Sequence, residues 1–349
     1  MIQYKEILQE IIEKGTWKEP ARPGMPKTIS RFSIEKRFNL SDGFPLVTLK
    51  ETRFSDIVTE LIWFLRGDSN IKYLVDNGVN IWNKDAHKFY LRLHKEYTGN
   101  DGSLDLDSFI ENIKEGRLHR TSLSDPRLGI GYKLGDTGWT YPRMWNNFAG
   151  MSINQVNNIV TSIINNPYSR YHVLSAWHPK YIGDLECALP PCHMMVHFNC
   201  RPIEFWDRVN LLYKPGAINS SSNLVLVEEE MNDFGIPKFY LDAKMIQRSC
   251  DTFLGVPYNI ASYALLIHII AKLTGTAPGE FIWSGNDVHL YEDQVDKARV
   301  LLEREPMKLP RLVIGDLYGG DPSFWEEDDF KLVDYKSHPA LRSKLHVGK

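Results

Sequence analysis

The longest apolar run in the sequence, residues 260–273, is interrupted by Ser262, His268 and Lys272. It falls short of the ~20 residues a bilayer span needs. It therefore reads as the central helix of a globular core, opened by Asn259 and ended by Gly275. The chain can supply such a core: 349 residues, 43% of them apolar and 24% charged, exclude wholesale disorder and allow one large domain. Forty-one basic residues against 44 acidic give a net charge of −3, so no global field draws nucleic acid or an anionic membrane. An anionic ligand must be held by local arginines. The four cysteines are too few for a disulfide framework and suit a reducing compartment, so a cytoplasmic location is expected. The opening MIQYKEILQE carries acids and no long apolar run, unlike a secretory signal.

Hydrophobic period places an amphipathic helix at the start, with Ile7, Leu8, Ile11 and Ile12 on one face. A largely buried helix is expected over residues 54–65, stopped by Gly67, with Glu60 out of place among apolar neighbours. Ser69 is placed to cap a short helix running to Gly78, and the helical period returns at Ile153 until Asn166 and Pro167 stop it. Strand-like runs follow at 171–177, 193–200, 239–246, 281–284 and 312–314. Two polar, turn-rich stretches, about 88–134 and 201–238, read as insertions rather than core. There is no repeat, and neither GxGxxG nor GxxxxGK[ST] occurs. Helices and strands interleave irregularly, which favours a single α+β domain over residues 1–349.

Chemistry concentrates in three places. In Ala188-Leu189-Pro190-Pro191-Cys192-His193, two prolines fix the backbone ahead of a cysteine and remove two amide donors. A free cysteine is more often a small inert hydrophobe than a nucleophile. Zinc is disfavoured, because strict alternation sets Cys192 and Cys200 on one face and His193 and His197 on the other. Those two cysteines also stand ~26 Å apart along a strand. In Gln247-Arg248-Ser249-Cys250-Asp251, a guanidinium beside a hydroxyl suits a phosphate, and near Cys192 the same cation would favour the thiolate. Asn259 is either an N-cap or a functional amide. Glu60 is either paired or kept for proton transfer, since an unpaired buried carboxylate is costly. His289 and Tyr291, two apart near a strand end, point the same way and suit a sugar hydroxyl or simple packing.

Together these motifs resemble the thymidylate synthase family: DGFPLVTLK, ELIWFLRGDSN, Ile81-Trp82, ALPPCH, QRSCDTFLGVPYNIASYALL, WSGNDVHLY, LEREP and HPALR recur in order. The resemblance implies that family's fold, a mixed or antiparallel sheet packed with helices, with one sheet face used for dimerisation. It implies one-carbon transfer from 5,10-methylenetetrahydrofolate to C5 of dUMP, without a metal. Cys192 matches the nucleophile that adds to C6, and Glu60, Asp251, Tyr141 and Arg248 match catalytic positions. Arg22, Arg248, Ser249 and Gln247 match nucleotide ligands, and Arg170 matches an arginine donated across a homodimer interface. His289 and Tyr291 match the pair on the 3′-hydroxyl. Lys50, Ile81, Trp82, Asp251, Leu254, Gly255 and Tyr258 match the folate side. Asn259 matches the base-reading amide, which can donate to uracil O4 while accepting from N3–H. The family's deoxycytidylate hydroxymethylases carry Asp there.

Departures gather around the folate and the late chemistry. Tyr171 replaces a second arginine, Asp85 a second tryptophan and Glu51 an arginine. His197 stands for a glutamine, His178 for an asparagine, and Tyr141-Pro142-Arg143-Met144-Trp145-Asn146 keeps only Tyr141 and Trp145 of its motif. The final His346-Val347-Gly348-Lys349 ends on a charge where an apolar seal is expected. A wetter site lets water, rather than hydride, quench the exocyclic methylene formed late in the pathway. The expected product is then 5-hydroxymethyl-dUMP, most like a divergent dUMP hydroxymethylase of the kind found in viruses that modify their DNA. Asp85, His178 and His197 are the candidates for placing that water. The alternatives are reductive methylation to dTMP, a cytidylate hydroxymethylase, or a non-catalytic nucleotide-binding paralogue.

Overall fold

The computed structural model describes residues 1–20, 24–99, 104–117, 123–125, 130–212 and 224–346. Helix α1 (Ile2–Lys14) buries Tyr4, Ile7, Leu8 and Ile11, and leads into strands β1 (Thr16–Lys18) and β2 (Thr28–Asn39). Ser33, at φ 61°, is skipped in the pairing of β2 between Phe32 and Ile34, which breaks the in–out alternation along that strand. Helix α2 (Phe54–Arg66) ends at Gly67, which takes the left-handed conformation at φ 72°. Helix α3 (Lys72–Asp76) is not capped by Ser69 as expected; that hydroxyl instead donates to Asp136 Oδ1 at 2.6 Å.

Helices α4 (Asn83–Thr98) and α5 (Leu106–Lys114) and the small pair β3 (Leu123–Asp125) and β4 (Ile130–Tyr132) fall in the first stretch read as an excursion. That reading understated its packing: Phe89, Leu93, Phe109 and Ile113 are fully buried. At four-residue spacing these apolar residues share one helix face, which the dense charges between them hide in the composition. After α6 (Tyr141–Asn146), α7 (Gln155–Asn165), β5 (Val173–Ser175) and β6 (His193–Pro202), the second stretch supplies α8 (Phe205–Leu212) and α9 (Leu224–Asp233). Around Val209 and Met231 these two helices form a cluster apart from the main core.

The chain closes with β7 (Phe239–Asp251), α10 (Gly255–Thr274), β8 (Ala277–Tyr291), α11 (Val295–Glu303), β9 (Arg311–Ile314) and β10 (Phe330–Val333). Six strands form one sheet in the order β1-β2-β8-β7-β6-β5, antiparallel except for β7 against β8. The helix joining that parallel pair is α10, which packs on both strands. It begins at Gly255, four residues earlier than expected, with Pro257 tolerated in the first turn. At 20 residues it is also longer than the apolar run suggested, and apolar enough by composition to cross a bilayer, yet here it is enclosed in the core. One face of the sheet carries the helices. The opposite face leaves His197, Asn199 and Arg201 of β6 exposed, and the ion pairs Lys244–Glu35, Arg37–Glu280 and Arg201–Asp242 cross it.

Candidate active site

Sheet register brings the cysteine motif to the arginine motif. His193 pairs with Gln247, and the Arg248 amide donates to Cys192 O at 2.9 Å. Arg248 then turns its guanidinium along the loop. Nε donates to Pro191 O at 2.9 Å and Nη2 to Pro190 O at 2.7 Å, with Nη2 only 3.7 Å from Cys192 Sγ. Two prolines without N–H groups leave carbonyls that need outside donors, and a guanidinium fork serves several at once. Cys192 is partly exposed, whereas Cys187, Cys200 and Cys250 are buried. Burial pushes the Cys187 thiol up to about 12 and Cys200 to about 11, which makes them poor nucleophiles.

The Tyr141 hydroxyl accepts both the Cys192 amide at 2.7 Å and the His193 amide at 3.2 Å. Burial holds that phenol well above its usual range, so it stays protonated. Its ring stacks on His193 at 4.9 Å and lies 4.8 Å from Phe64. His193 is also edge-on to Tyr263, and burial lowers its imidazole to about 4, a side-chain hydrogen bond to Asn259 pulling the other way. The histidine beside the cysteine is thus a neutral packing group, wedged between two tyrosines. A register shift between His193 and Met195 also breaks the strict alternation expected here. His193 is buried and His197 exposed, so the two do not share a face. Among the described residues, no group of three or more His, Cys, Asp or Glu converges to hold a metal.

Asn259 lies inside α10, one turn past its start, so its side chain is not spent on capping. Its Oδ1 accepts from Gln247 Nε2 at 2.9 Å, while Gln247 Oε1 accepts from Trp283 Nε1 at 2.9 Å. Sequence reading gave Gln247 and Asn259 roles but left Trp283, the first residue of the WSGNDVHLY motif, without one; it comes from the neighbouring strand β8.

Glu60 projects from α2 and accepts from Trp82 Nε1 at 2.7 Å. Burial raises its carboxyl to about 7, and the indole donation only partly opposes that shift. Trp63 and Phe64 pack around Trp82, with centroids at 5.4 and 6.5 Å. Beyond Ile81 opens a cavity of about 630 Å³, walled by Arg53, Asp56, Asn83 and Lys84, by Ile110 and Lys114 of α5, and by Leu345. Lys50 is buried and donates to Phe253 O, with its ammonium 4.3 Å from the Phe253 ring. Desolvation lowers it to about 8 although Asp251 pulls upward. Asp251 Oδ1 accepts the Phe253 and Leu254 amides, both at 3.1 Å, and so shapes the turn that carries Leu254, Gly255 and Tyr258 into α10.

At the far end, Asp251 pairs in register with His289, whose ring stands edge-on to Tyr291 at 5.3 Å. His346 closes over Tyr291 at 4.5 Å and pairs with Asp293 at 2.9 Å. Other expected residues are elsewhere. Arg170 is exposed at the turn before β5, and Tyr171 beside it is 89% exposed. His197 sits on the open sheet face, while His178 packs against Phe148 and Tyr181. Neither expected water-placing histidine is thus shown meeting the Cys192 loop. Arg22 and residues 347–349 lie outside the described residues.

Comparison with known proteins agrees in extent. The family profile described as thymidylate synthase matches residues 2–347. The thymidylate synthase of Mycoplasma mobile is 35% identical over 347 residues, covering 99% of this chain and 100% of the relative. That of Malacoplasma penetrans is 33% identical over 347 residues, and that of Listeria monocytogenes serotype 4b 33% over 358, each with the same coverage.

Proposed function

Because this chain belongs to the thymidylate synthase family, we propose that Cys192 opens a folate-dependent one-carbon transfer to C5 of dUMP. The carrying observation is the 3.7 Å approach of Arg248 Nη2 to Cys192 Sγ, with the same guanidinium clamping the two proline carbonyls. A thiolate so supported forms the S–C6 bond, and the ring electrons pass to C5 and O4. C5 then bonds to the methylene carbon of 5,10-methylenetetrahydrofolate, the co-substrate of this family, as that carbon's bond to N10 opens; its remaining bond to N5 breaks as the C5 proton is lost, freeing tetrahydrofolate and leaving an exocyclic methylene. The C5 proton must leave, and Glu60, with a carboxyl near neutrality, is poised to carry protons through its Trp82-bound site. Asn259 reads the uracil edge. Arg248, Ser249 and Arg22 hold the phosphate, and His289 and Tyr291 hold the sugar. Ile81, Trp82, Leu254, Gly255 and Tyr258, with Lys50 and Asp251 behind them, line the folate side.

For the last step, reductive methylation to dTMP is the reading the geometry supports best. The Glu60 carboxyl is held by Trp82, whose ring packs with those of Trp63, Phe64 and Tyr141, an aromatic wall that suits hydride transfer better than water delivery. The same step accounts for the relatives that carry the thymidylate synthase name. Two of the three residues expected to place water, His178 and His197, are turned to other neighbours. Hydroxymethylation to 5-hydroxymethyl-dUMP keeps one specific support: Asp85 on the first turn of α4, three residues beyond Trp82. The mass of the nucleotide formed from dUMP and methylenetetrahydrofolate decides between them. A methyl product with one dihydrofolate per turnover supports the first, and a hydroxymethyl product with tetrahydrofolate supports the second.

The open sheet face and the exposure of Arg170 at the turn before β5 support a homodimer in which Arg170 reaches the partner's phosphate. Loss of dUMP affinity in Arg170→Ala, restored in hybrids with Cys192→Ser subunits, would establish that exchange.

A further inference from the structure

We infer that Arg92 is a positioning residue for the cysteine loop, so that helix α4 sets where Cys192 stands. This rests on Cys192 being the nucleophile proposed above. Arg92 Nε donates to Asp184 O at 2.9 Å, and Nη2 to Cys187 O and Ala188 O, both at 3.2 Å. Its guanidinium also leans over the Phe89 ring at 5.6 Å, one turn earlier on the same helix. Two further hydrogen bonds tie the same backbone to the segment before α6: Trp139 N donates to Glu186 O and Ala188 N to Thr137 O, each at 2.9 Å. Immediately past Leu189, Arg248 takes over at Pro190 and Pro191.

The approach to Cys192 is therefore held through its carbonyls by two arginines, one on each side of Leu189. The reason lies in the sequence. Pro190 and Pro191 offer no N–H, so the loop cannot brace itself with its own amides there and must be gripped from outside. A planar guanidinium can engage three carbonyls in one geometry, which an ammonium on a flexible stem cannot reproduce. Arg248 fixes the sulfur only if the preceding backbone arrives at the right height, and Arg92 sets that height. A displacement of about 1 Å at a reacting atom is enough to cost about 10²-fold in rate.

The test uses the full-length chain with Arg92→Ala and Arg92→Lys. Alkylation of Cys192 by iodoacetamide, read by peptide mass from neutral to alkaline pH, reports the sulfur's setting without any nucleotide chemistry. Steady-state kinetics with dUMP and methylenetetrahydrofolate report the consequence. In Arg92→Ala the alkylation profile should move to higher pH, and kcat should fall by about 10²-fold while the folate KM changes little. Arg92→Lys, which keeps the charge but not the fork, should lie between wild type and alanine, and it supplies the measurement if the alanine variant does not fold. Wild-type alkylation profiles in both folded variants would overturn the inference. Absence of turnover in the wild type would instead overturn the proposed reaction and leave the alkylation result to judge Arg92 alone.

Discussion

Gln247 donates to Asn259 Oδ1 at 2.9 Å and cannot turn around, because Trp283 Nε1 already donates to its other end. An indole N–H is a donor only, so it fixes Gln247 with Oε1 toward Trp283 and Nε2 toward Asn259. The Asn259 carbonyl therefore faces Gln247 and its NH₂ points the other way as a donor, with His193 sharing a hydrogen bond with the same side chain. That pattern suits the O4 and N3–H of uracil. Asn259→Asp keeps the acceptor and removes the donor. We expect kcat/KM for dUMP to fall by about 10²-fold or more, and dCMP, whose N4 amino group donates, to become the better substrate. Competition between the two nucleotides measures this, and an unchanged preference for dUMP would refute the base-reading role.

Tyr141 offers one oxygen to two consecutive amides, those of Cys192 and His193. Tyr141→Phe preserves the ring stack on His193 and deletes that acceptor. Two backbone donors then lose their partner, which should cost about 1–3 kcal/mol in denaturant unfolding. The rate of covalent capture of 5-fluoro-dUMP should fall alongside, because the cysteine backbone is no longer pinned. A variant of wild-type stability and capture rate would show that other groups hold this turn.

His268 is partly buried in α10 beside Phe44, at 6.1 Å between ring centroids, and desolvation lowers its imidazole to about 4. The unfolded chain takes up this proton as pH falls through about 6.5, whereas the folded chain refuses it until about 4. Stability is therefore lost with falling pH across that window and is unaffected above it. The loss is about 2 kcal/mol near pH 5. His268→Leu should remove it and flatten the unfolding free energy between those limits. His193, lowered in the same direction, should keep a residual slope. Equal slopes in wild type and variant would mean that His268 is protonated in the fold.

Much of this was legible from residue patterns. The period of α1 and the break at Gly67 place two helices closely, and motif spacing singles out Cys192, Arg248 and Asn259. What remained hidden was non-local. Trp283 reaches Gln247 only because β8 lies beside β7, and Arg92 grips the cysteine loop across 92 residues of chain. The packing of α4 and α5 was obscured because Phe89, Leu93, Phe109 and Ile113 are diluted among charges that face outward. The helix opens at Gly255 rather than at Asn259 because Gly255 and Pro257 are tolerated in the first turn of a helix, which an apolar run beginning at Ile260 does not reveal.

Glu60 carries a prediction of opposite sign to His268. Burial raises its carboxyl from the usual 4.5 to about 7, with the Trp82 donation pulling back only in part. The unfolded chain releases this proton near 4.5 while the folded chain keeps it to about 7, so stability falls as pH rises between them and levels off above. The cost at alkaline pH is about 2–4 kcal/mol. Glu60→Gln, neutral throughout, should match wild type in stability below about pH 4.5 and exceed it by about that amount above pH 7. Turnover should move the other way, falling by about 10²- to 10⁴-fold as the proton carrier is lost. Trp82→Phe separates the two effects. Without the indole donor the charged carboxylate is still less favoured, so the limb of the kcat profile that Glu60 controls should move above about 7. If that limb stays in place in Trp82→Phe, or survives in Glu60→Gln, the proton is carried by another group.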